Sequence, residues 1–571
     1  MAELMKLYTP EGESLTGQPW NVYPRPLLKR DSFLCLNGEW EFAVTAENTA
    51  PARFDRIIRV PFSPESLLSG VDEVFPESHT LWYRRRFTLP AGFCKKRVLL
   101  HFGAVDQHAV VFVNGTKVGE HVGGYTAFSV DITEALAEEN TLTVQVTDRL
   151  SDHVFPYGKQ CQKRGGMWYT PVSGIWQTVW LESVPAEYIR RLKIDVDLTG
   201  ADITVEGAPT GTVTVQTPSG EQVIPFTDGR VRIEPPEPRL WSPEAPYLYR
   251  FTVETAADRV ESYFALRTLS VRAVDGIPRL CLNGKPYFFH GLLDQGYWSD
   301  GLFTPATPQC YEKDILAMKG LGFNMLRKHI KVEPEPFYYD CDRLGMVVFQ
   351  DMVNNGHYSF LRDTALPTVG LQRLPDRLLH RDPMTRHYFI EGMERTVEQL
   401  YNHPCICYWT IFNEGWGQFD SSAMYRRLRQ LDSTRFIDSA SGWFAGGETD
   451  VDSRHVYFRK VKLKATKKPL VLSEFGGYSY KPAGHVANTE QTYGYGRFEE
   501  REAFVEALRR LYAEEVLPLI PRGLCAAVYT QVSDVEDETN GLLSYDRRVA
   551  KVRPEEFAPI SAKLMDAVPK E

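Results

Sequence analysis

The sequence predicts a multidomain chain in which a β-sandwich jelly roll and an immunoglobulin-like β-sandwich precede a (β/α)8 barrel. Three observations carry this reading. Residues 1–183 are a succession of short alternating runs broken by turn residues. Residues 184–272 keep a β texture, sparse in helix formers and rich in Thr, Val and Pro. From 273 to 571, apolar strand-like runs alternate with amphipathic stretches, the pattern of parallel α/β structure. At roughly 100–200 residues per domain, 571 residues are enough for about three to five such units.

In the first unit, runs at 82–87, 97–102, 109–113 and 140–146 read as strands, with Asn114-Gly115 as a hairpin turn. The basic, glycine-bearing stretch 157–168 (YGKQCQKRGGMW) precedes a closing strand at 174–182. A loop of that length is either disordered or functional, and a functional one would lean over the active-site mouth. In the second unit, runs at 192–196, 212–217, 231–233, 247–254 and 262–268 suit a seven-stranded sandwich serving as spacer and clamp.

The third unit opens with an Asn283-Gly284 hairpin. Strands are expected at 287–292, 324–327, 346–351, 405–412, 436–439, 455–458, 470–474 and 525–530. Helices are expected at 308–321, stopped by Gly322, and at 335–344, 384–400 and 419–431.

Composition narrows the function. A net charge of −9, with no basic stripe, speaks against nucleic acid and anionic membrane as partners. The N-terminus has no apolar signal-like core and no run is long enough to span a bilayer, so a cytoplasmic location is expected. Nine cysteines follow no metal or disulfide rhythm, and Cys405 and Cys407 are read as packing. The Asp534 to Glu538 stretch (DVEDE) reads as a solvated acidic loop, and Arg84-Arg85-Arg86 as a solvated run. No cofactor and no metal are expected, since neither nucleotide-binding glycine loops nor ligand-spaced His and carboxylate sets occur.

The chemistry gathers at strand ends. The run CICYWTIFNEGWG stops at Asn413-Glu414-Gly415, and PLVLSEFGG stops at Ser473-Glu474 and two glycines. The carboxyl ends of barrel strands are where such enzymes keep their reacting groups. Two glutamates so placed suggest a carboxylate pair acting on a glycosidic bond, about 5–5.5 Å apart in a retaining mechanism. Asn413 beside Glu414 can donate to a sugar 2-hydroxyl, and Arg327 and Tyr457, converging on Glu474, would hold it ionised. Glu414 is therefore expected as acid/base and Glu474 as nucleophile. Asp294, Arg327, His329, Asn413, Trp443, His455 and Tyr457 are the expected substrate-binding residues. For the two histidines the alternative is a satisfied structural role, and for Trp443 it is the core rather than a stacking platform.

At these residues the chain resembles glycoside hydrolase family 2, which contains β-galactosidases, β-glucuronidases and β-mannosidases. Leu36-Asn37-Gly38-Glu39-Trp40, Gly123-Gly124-Tyr125 and Gly174-Ile175-Trp176 look like that family's jelly roll. Leu240-Trp241-Ser242-Pro243 looks like its middle sandwich, and Arg327, Asn413-Glu414 and Ser473-Glu474-Phe475-Gly476 look like its barrel. The resemblance implies a retaining exo-β-glycosidase with the same glutamate roles, in a family whose members are often dimers or tetramers; the expected cytoplasmic location points to a small glycoside or oligosaccharide as substrate.

Members that cleave glucuronides carry an Asn-x-Lys motif after the nucleophile. Here the one Asn-x-Lys is Asn283-Gly284-Lys285, in the hairpin entering the barrel. The expectation is thus a neutral glycone, a β-galactoside first. The alternatives are a β-glucuronide or β-galacturonide, with Lys481, Lys159, Lys163 or Arg164 supplying the cation, then an α-L-arabinofuranoside or β-galactofuranoside. The rival of a different class is a catalytically inactive carbohydrate-binding protein, which the presence of both glutamates opposes.

Overall fold

A computed structural model describes residues 4–46, 48–368, 376–444 and 446–570. In the first unit a six-stranded antiparallel sheet faces a four-stranded one across a core that includes Trp40, Phe42, Tyr83 and Val144. Alternation decides which side chains enter that core: in Asn140–Thr147, Asn140, Leu142, Val144 and Val146 are buried and the residues between them are not. Asn114 (φ 52°) and Gly115 (φ 80°) join His108–Val113 to Thr116–Val122, as the hairpin reading requires. The closing strand is split into Gly174–Ile175 and Val179–Val184. Of the arginine run only Arg86 is exposed; Arg84 pairs with Glu41 at 2.7 Å, and Arg85 donates to the Glu39 carbonyl.

The middle sandwich has seven strands, three against four. Two of them, Ala201–Glu206 and Gly220–Phe226, have no counterpart in the expected runs, and the last is Arg259–Phe264 rather than 262–268. Arg267 ties this sandwich to the base of the barrel by donating to the carbonyls of Pro404 and Ile406, each at 2.7 Å.

The barrel strands are β1 Phe289–Asp294, β2 Met325–Lys328, β3 Val347–Asp351, β4 Ile406–Thr410, β5 Phe436–Asp438, β6 Asp452–Val456, β7 Leu470–Gly476 and β8 Leu524–Thr530. They form one parallel sheet in the order 5-4-3-2-1-8-7-6. Both faces are covered, so nearly every strand residue is buried, which explains the continuous apolar runs in the sequence. Helices lie at Gln309–Gly320, Glu335–Leu344, Pro383–Leu400, Ser421–Leu431, Arg501–Arg510 and Pro554–Asp566.

Jelly-roll residues Tyr125, Tyr157, Tyr169 and Trp176 belong to the same hydrophobic core as the barrel, with Trp176 edge-on to Phe303 at 5.0 Å. All nine cysteines are free, with Cys405 and Cys407 fully buried. Among the described residues no helix is long and apolar enough to cross a membrane.

One expectation is reversed. Asp534, Glu536, Asp537 and Glu538 form no solvated loop, since all four are at least 97% buried. Their partners come from far along the chain. Lys551 Nζ donates to Asp534 (2.6 Å), the Thr170 amide to Glu536 (2.9 Å), Arg164 to Asp537 (3.2 Å) and the Tyr169 hydroxyl to Glu538 (2.9 Å). A buried carboxylate persists only where such donors meet it.

Candidate active site

Glu474 and Glu414 meet where β4, β6 and β7 end. The β7 ladder slips register against β8 between Leu472 and Phe475, and β6 slips against β7 between Arg454 and His455. Irregularities of this kind re-aim side chains at strand ends. Glu414 lies just beyond β4 in a left-handed conformation (φ 54°), which is uncommon for a non-glycine residue. Its amide donates to the Ser441 carbonyl at 2.9 Å, and its own carbonyl accepts the Trp443 indole N–H at 3.0 Å. Gly415 follows at φ 74°, where a Cβ would stand 2.1 Å from the Phe444 ring. The turn that presents Glu414 is therefore fixed by Trp443, Phe444 and Ser441.

His455 Nδ1 is 2.7 Å from Glu414 Oε1 and 3.6 Å from Glu474 Oε2, and its Nε2 is 3.0 Å from Ser441 Oγ. One oxygen of each glutamate and one histidine nitrogen all lie within 4.8 Å of one another. That spacing would also accommodate a metal ion. Both Glu474 oxygens, however, are already met by donors, Oε1 by Arg327 Nη1 (3.1 Å) and Oε2 by the Tyr457 hydroxyl (2.8 Å), the pattern of a carboxylate held for reaction rather than ligation.

Arg327, 1% exposed, is the hub beneath the pair. Its Nε donates to both oxygens of Asp351 (3.0 and 3.1 Å), its Nη1 also to the Ser473 carbonyl (3.0 Å), and its Nη2 to Asn413 Oδ1 (2.9 Å). Engaging Oδ1 leaves the Asn413 amide nitrogen directed to donate elsewhere. Burial alone would raise the Glu474 pKa. The charges of His455, Arg327, His329 and Lys159 more than offset this and bring it down to about 2. His329, bonded through Nδ1 to Asp351 at 2.7 Å, is held down to about 4, mainly by burial.

The pair opens into a narrow cleft lined by Asn413, Glu414, Glu474, His329 and Tyr457 among others. Asp294 is not on that lining, because it is turned to Lys328 (2.6 Å) and accepts the Gly296 amide (2.9 Å). Arg327 and His455 stand behind the carboxylates. Trp443 is likewise absent from the lining and acts on the backbone of Glu414. A larger cleft between the middle sandwich and the barrel is lined by charged residues such as Arg250, Glu312 and Arg343 and holds neither strand-end glutamate.

The sequence reading missed several wall residues. Trp416 follows Glu414 by two positions, and Tyr358, Tyr495 and Glu538 come from loops after β3, β7 and β8. Lys159, Met167 and Trp168 come from the jelly-roll loop, which is ordered and does lean over the mouth. Trp168 packs edge-on against Trp416 (5.0 Å) and Tyr358 (5.1 Å), and Tyr495 stacks on Tyr457 at 3.8 Å. Aromatic residues inside a long loop next to the motif were the available signal.

Three family models match consecutive parts of the chain. They are the glycosyl hydrolase 2 galactose-binding domain-like model over 71–166, the glycosyl hydrolases family 2 model over 184–267 and the family 2 TIM barrel domain model over 275–501. Among curated relatives, a β-glucuronidase from Felis catus is 28% identical over 452 residues, 69% of this chain and 65% of that one. A β-galactosidase from Thermoanaerobacter pseudethanolicus is 28% identical over 380 residues, 61% and 46% of the two chains. The matches thus span less than two thirds of these relatives' own length. Among solved structures, Faecalibacterium prausnitzii β-glucuronidase has a TM-score of 0.72 at 22% identity, covering 95% of this chain and 99% of that one. A β-galacturonidase from Eisenbergiella tayi, bound to galacturonate, has a TM-score of 0.67 at 20% identity over the same shares. At these identities the structures speak to the fold alone.

Proposed function

Because the chain belongs to glycoside hydrolase family 2, we propose that it is a retaining exo-β-glycosidase working by double displacement through Glu474 and Glu414. The observation that carries this reading is the carboxylate pair itself, with one oxygen of each glutamate within 4.8 Å of the other, which fits the ~5–5.5 Å carboxyl separation of retaining enzymes better than the ~6.5–9.5 Å of inverting ones.

Glu474, ionised and oriented by Arg327 and Tyr457, attacks the anomeric carbon while Glu414 gives its proton to the glycosidic oxygen and the aglycone leaves as the alcohol. Water then yields a proton to Glu414 and attacks the same carbon, releasing Glu474 as carboxylate and the sugar with its β configuration restored. Glu414 is the more solvent-accessible of the two (side chain 20% exposed against 7%), as an acid that must exchange protons with water requires. The free Asn413 amide faces the cleft where a 2-hydroxyl would sit.

For the glycone, a uronic acid is better supported than the β-galactoside expected from sequence. Curated relatives named as β-glucuronidases, from Felis catus and Canis lupus familiaris among others, support it. The missing Asn-x-Lys therefore argues only against one way of neutralising the substrate carboxylate. A neutral β-galactoside is the second reading, favoured by the T. pseudethanolicus relative and by the carboxylate of Glu538 on the cleft wall.

The test is initial rates on aryl β-glucuronide, β-galacturonide, β-galactoside, β-mannoside, α-L-arabinofuranoside and β-galactofuranoside. The first-formed anomer is read by proton NMR, with Glu474→Gln alongside. Uronide turnover giving the β-anomer, lost in the mutant, is expected. Turnover of a neutral sugar alone would overturn the uronide reading. A first-formed anomer opposite to that of the substrate would overturn retention, and silence throughout would favour the binding-protein alternative.

A further inference from the structure

The cleft contains an ammonium whose charge reaches Glu474 and Glu538 but which no carboxylate among the described residues touches. Lys159 and His329 are the basic side chains on the lining, and His329 is neutral above about pH 4. Among the described residues the Lys159 ammonium has no hydrogen bond and no ion pair, and its recorded contact is the Tyr169 ring, 5.9 Å away. The carboxylates in its field are occupied by others. Glu474 is met by Arg327 and Tyr457, and Glu538 by the Tyr169 hydroxyl (2.9 Å) and Gln531 Nε2 (2.8 Å).

The other basic groups that could serve a substrate carboxylate are committed elsewhere. Lys481 Nζ donates to the carbonyls of Asn488, Thr489 and Gln491, and Arg164 is bound to Asp537. Lys163 is exposed and lies off the cleft.

The lysine's base is fixed. The Lys159 carbonyl accepts the Tyr169 amide (3.0 Å), and the Gly158 amide donates to the Asn354 carbonyl beyond β3 (3.3 Å). Across the mouth, Gly166 and Thr170 amides donate to Asp537 (3.1 Å) and Glu536 (2.9 Å). An ammonium held by a rigid loop over a partly buried cleft, with its protein partners withheld, is arranged for an anionic ligand.

We propose that Lys159 is the specificity-determining cation of this enzyme, its ammonium receiving the C6 carboxylate of a uronic acid glycone from the jelly-roll side of the cleft. The inference rests on the uronide reading above and assigns it a residue. In this arrangement the lysine comes from the N-terminal unit, while the reacting carboxylates come from the barrel.

The experiment compares wild type, Lys159→Gln and Lys159→Arg on paired aryl substrates differing only at C6, β-glucuronide against β-glucoside and β-galacturonide against β-galactoside. Loss of a charge-assisted hydrogen bond predicts a fall of about 10- to 100-fold in kcat/KM on the uronide for Lys159→Gln, with partial recovery in Lys159→Arg. Neutral substrates, which carry no group for the ammonium to bind, are expected to lose far less than the uronide. Covalent labelling of Lys159→Gln by a neutral 2-deoxy-2-fluoro glycosyl fluoride, read as a mass increase, reports an intact site independently of the substrate carboxylate. Equal losses on both members of a pair, or failed labelling where wild type labels, would make Lys159 structural and overturn the proposal. Uronide turnover indifferent to Lys159→Gln would overturn it while leaving the uronide reading in place. Wild-type turnover of neutral sugars alone would remove that reading first.

Discussion

Arg327 donates from Nη1 to Glu474 Oε1 at 3.1 Å, and with its other nitrogens spans Asp351 and Asn413. One guanidinium thus sets the charge of one glutamate and the orientation of the asparagine beside the other. Lysine would keep the charge but lose the fork. Arg327→Lys is expected to fold and to lose kcat by about 10- to 100-fold, whereas Arg327→Ala leaves Asp351 and Glu474 buried without the guanidinium that neutralises them, keeping His329 and Tyr457 as hydrogen-bond partners, and destabilises by about 3–5 kcal/mol. Thermal unfolding beside steady-state rates separates the two; equal effects of both variants would mean the fork is not used.

Glu474→Gln is expected to abolish turnover of every substrate. Glu414→Ala is expected to lose about 10²–10⁴-fold on substrates with poor leaving groups and far less on a dinitrophenyl glycoside, which needs no acid. Added azide would restore the Glu414 variant and yield the β-glycosyl azide. An α-azide from the Glu414 variant, or a β-azide from a Glu474 variant, would exchange the assigned roles.

Tyr457→Phe removes the hydroxyl that donates to Glu474 Oε2 at 2.8 Å while keeping the ring stacked on Tyr495. The expected result is unchanged unfolding temperature and a fall of about tenfold or more in kcat/KM. A variant that melts earlier with normal kinetics would assign Tyr457 to packing.

Two carboxylates give opposite pH signatures. Glu474, brought down to about 2, contributes stability that is present above its ordinary value and is lost as pH falls toward 2. Glu536 is pushed up to about 7 by burial, so its contribution is complete below the ordinary carboxylate range and is lost as pH rises through 7. Denaturant unfolding of Glu536→Gln should show a flatter stability profile between pH 5 and 8 than wild type, by at most about 3 kcal/mol. An unchanged slope would place Glu536 near its ordinary pKa.

Asp537 holds the Arg164 side chain, the Gly166 amide and Asn488 Nδ2 (2.7 Å). Asp537→Ala is expected to free the tip of the loop that carries Lys159 and Trp168, raising KM more than it lowers kcat. Limited proteolysis would read the same change as new cleavage within 161–167.

The barrel was legible because its parallel strands are buried on both faces and so read as continuous apolar runs, each ending where polar residues begin. Ala201–Glu206 and Gly220–Phe226 were not, because the former alternates with short polar residues and the latter keeps only Phe226 buried. Glu414 and Glu474 could be picked out from their position after apolar runs. The burial of Asp537 could not, since its partner Arg164 lies 373 residues away. Asp294 looked like its neighbours at the strand ends, and only the position of Lys328 turns it from the cleft. Trp443 carried an aromatic's usual ambiguity, and its indole N–H, bound to the Glu414 carbonyl, makes it a support for the turn. The β-galactoside came first because no Asn-x-Lys follows the nucleophile; Lys159 was offered from sequence as another route to a cation, and only the packing of one unit on another, which places it on the cleft wall, supports preferring that route.

That packing has a further consequence. Trp176 and Tyr125 press against Phe303, and Tyr169 against Tyr297, inside the hydrophobic core that also fills the barrel. The N-terminal unit is therefore not an appendage that can be trimmed away. A fragment beginning at 273 would keep both glutamates yet bare an aromatic face to water, and calorimetry of the whole chain should register these two units melting as a single cooperative block.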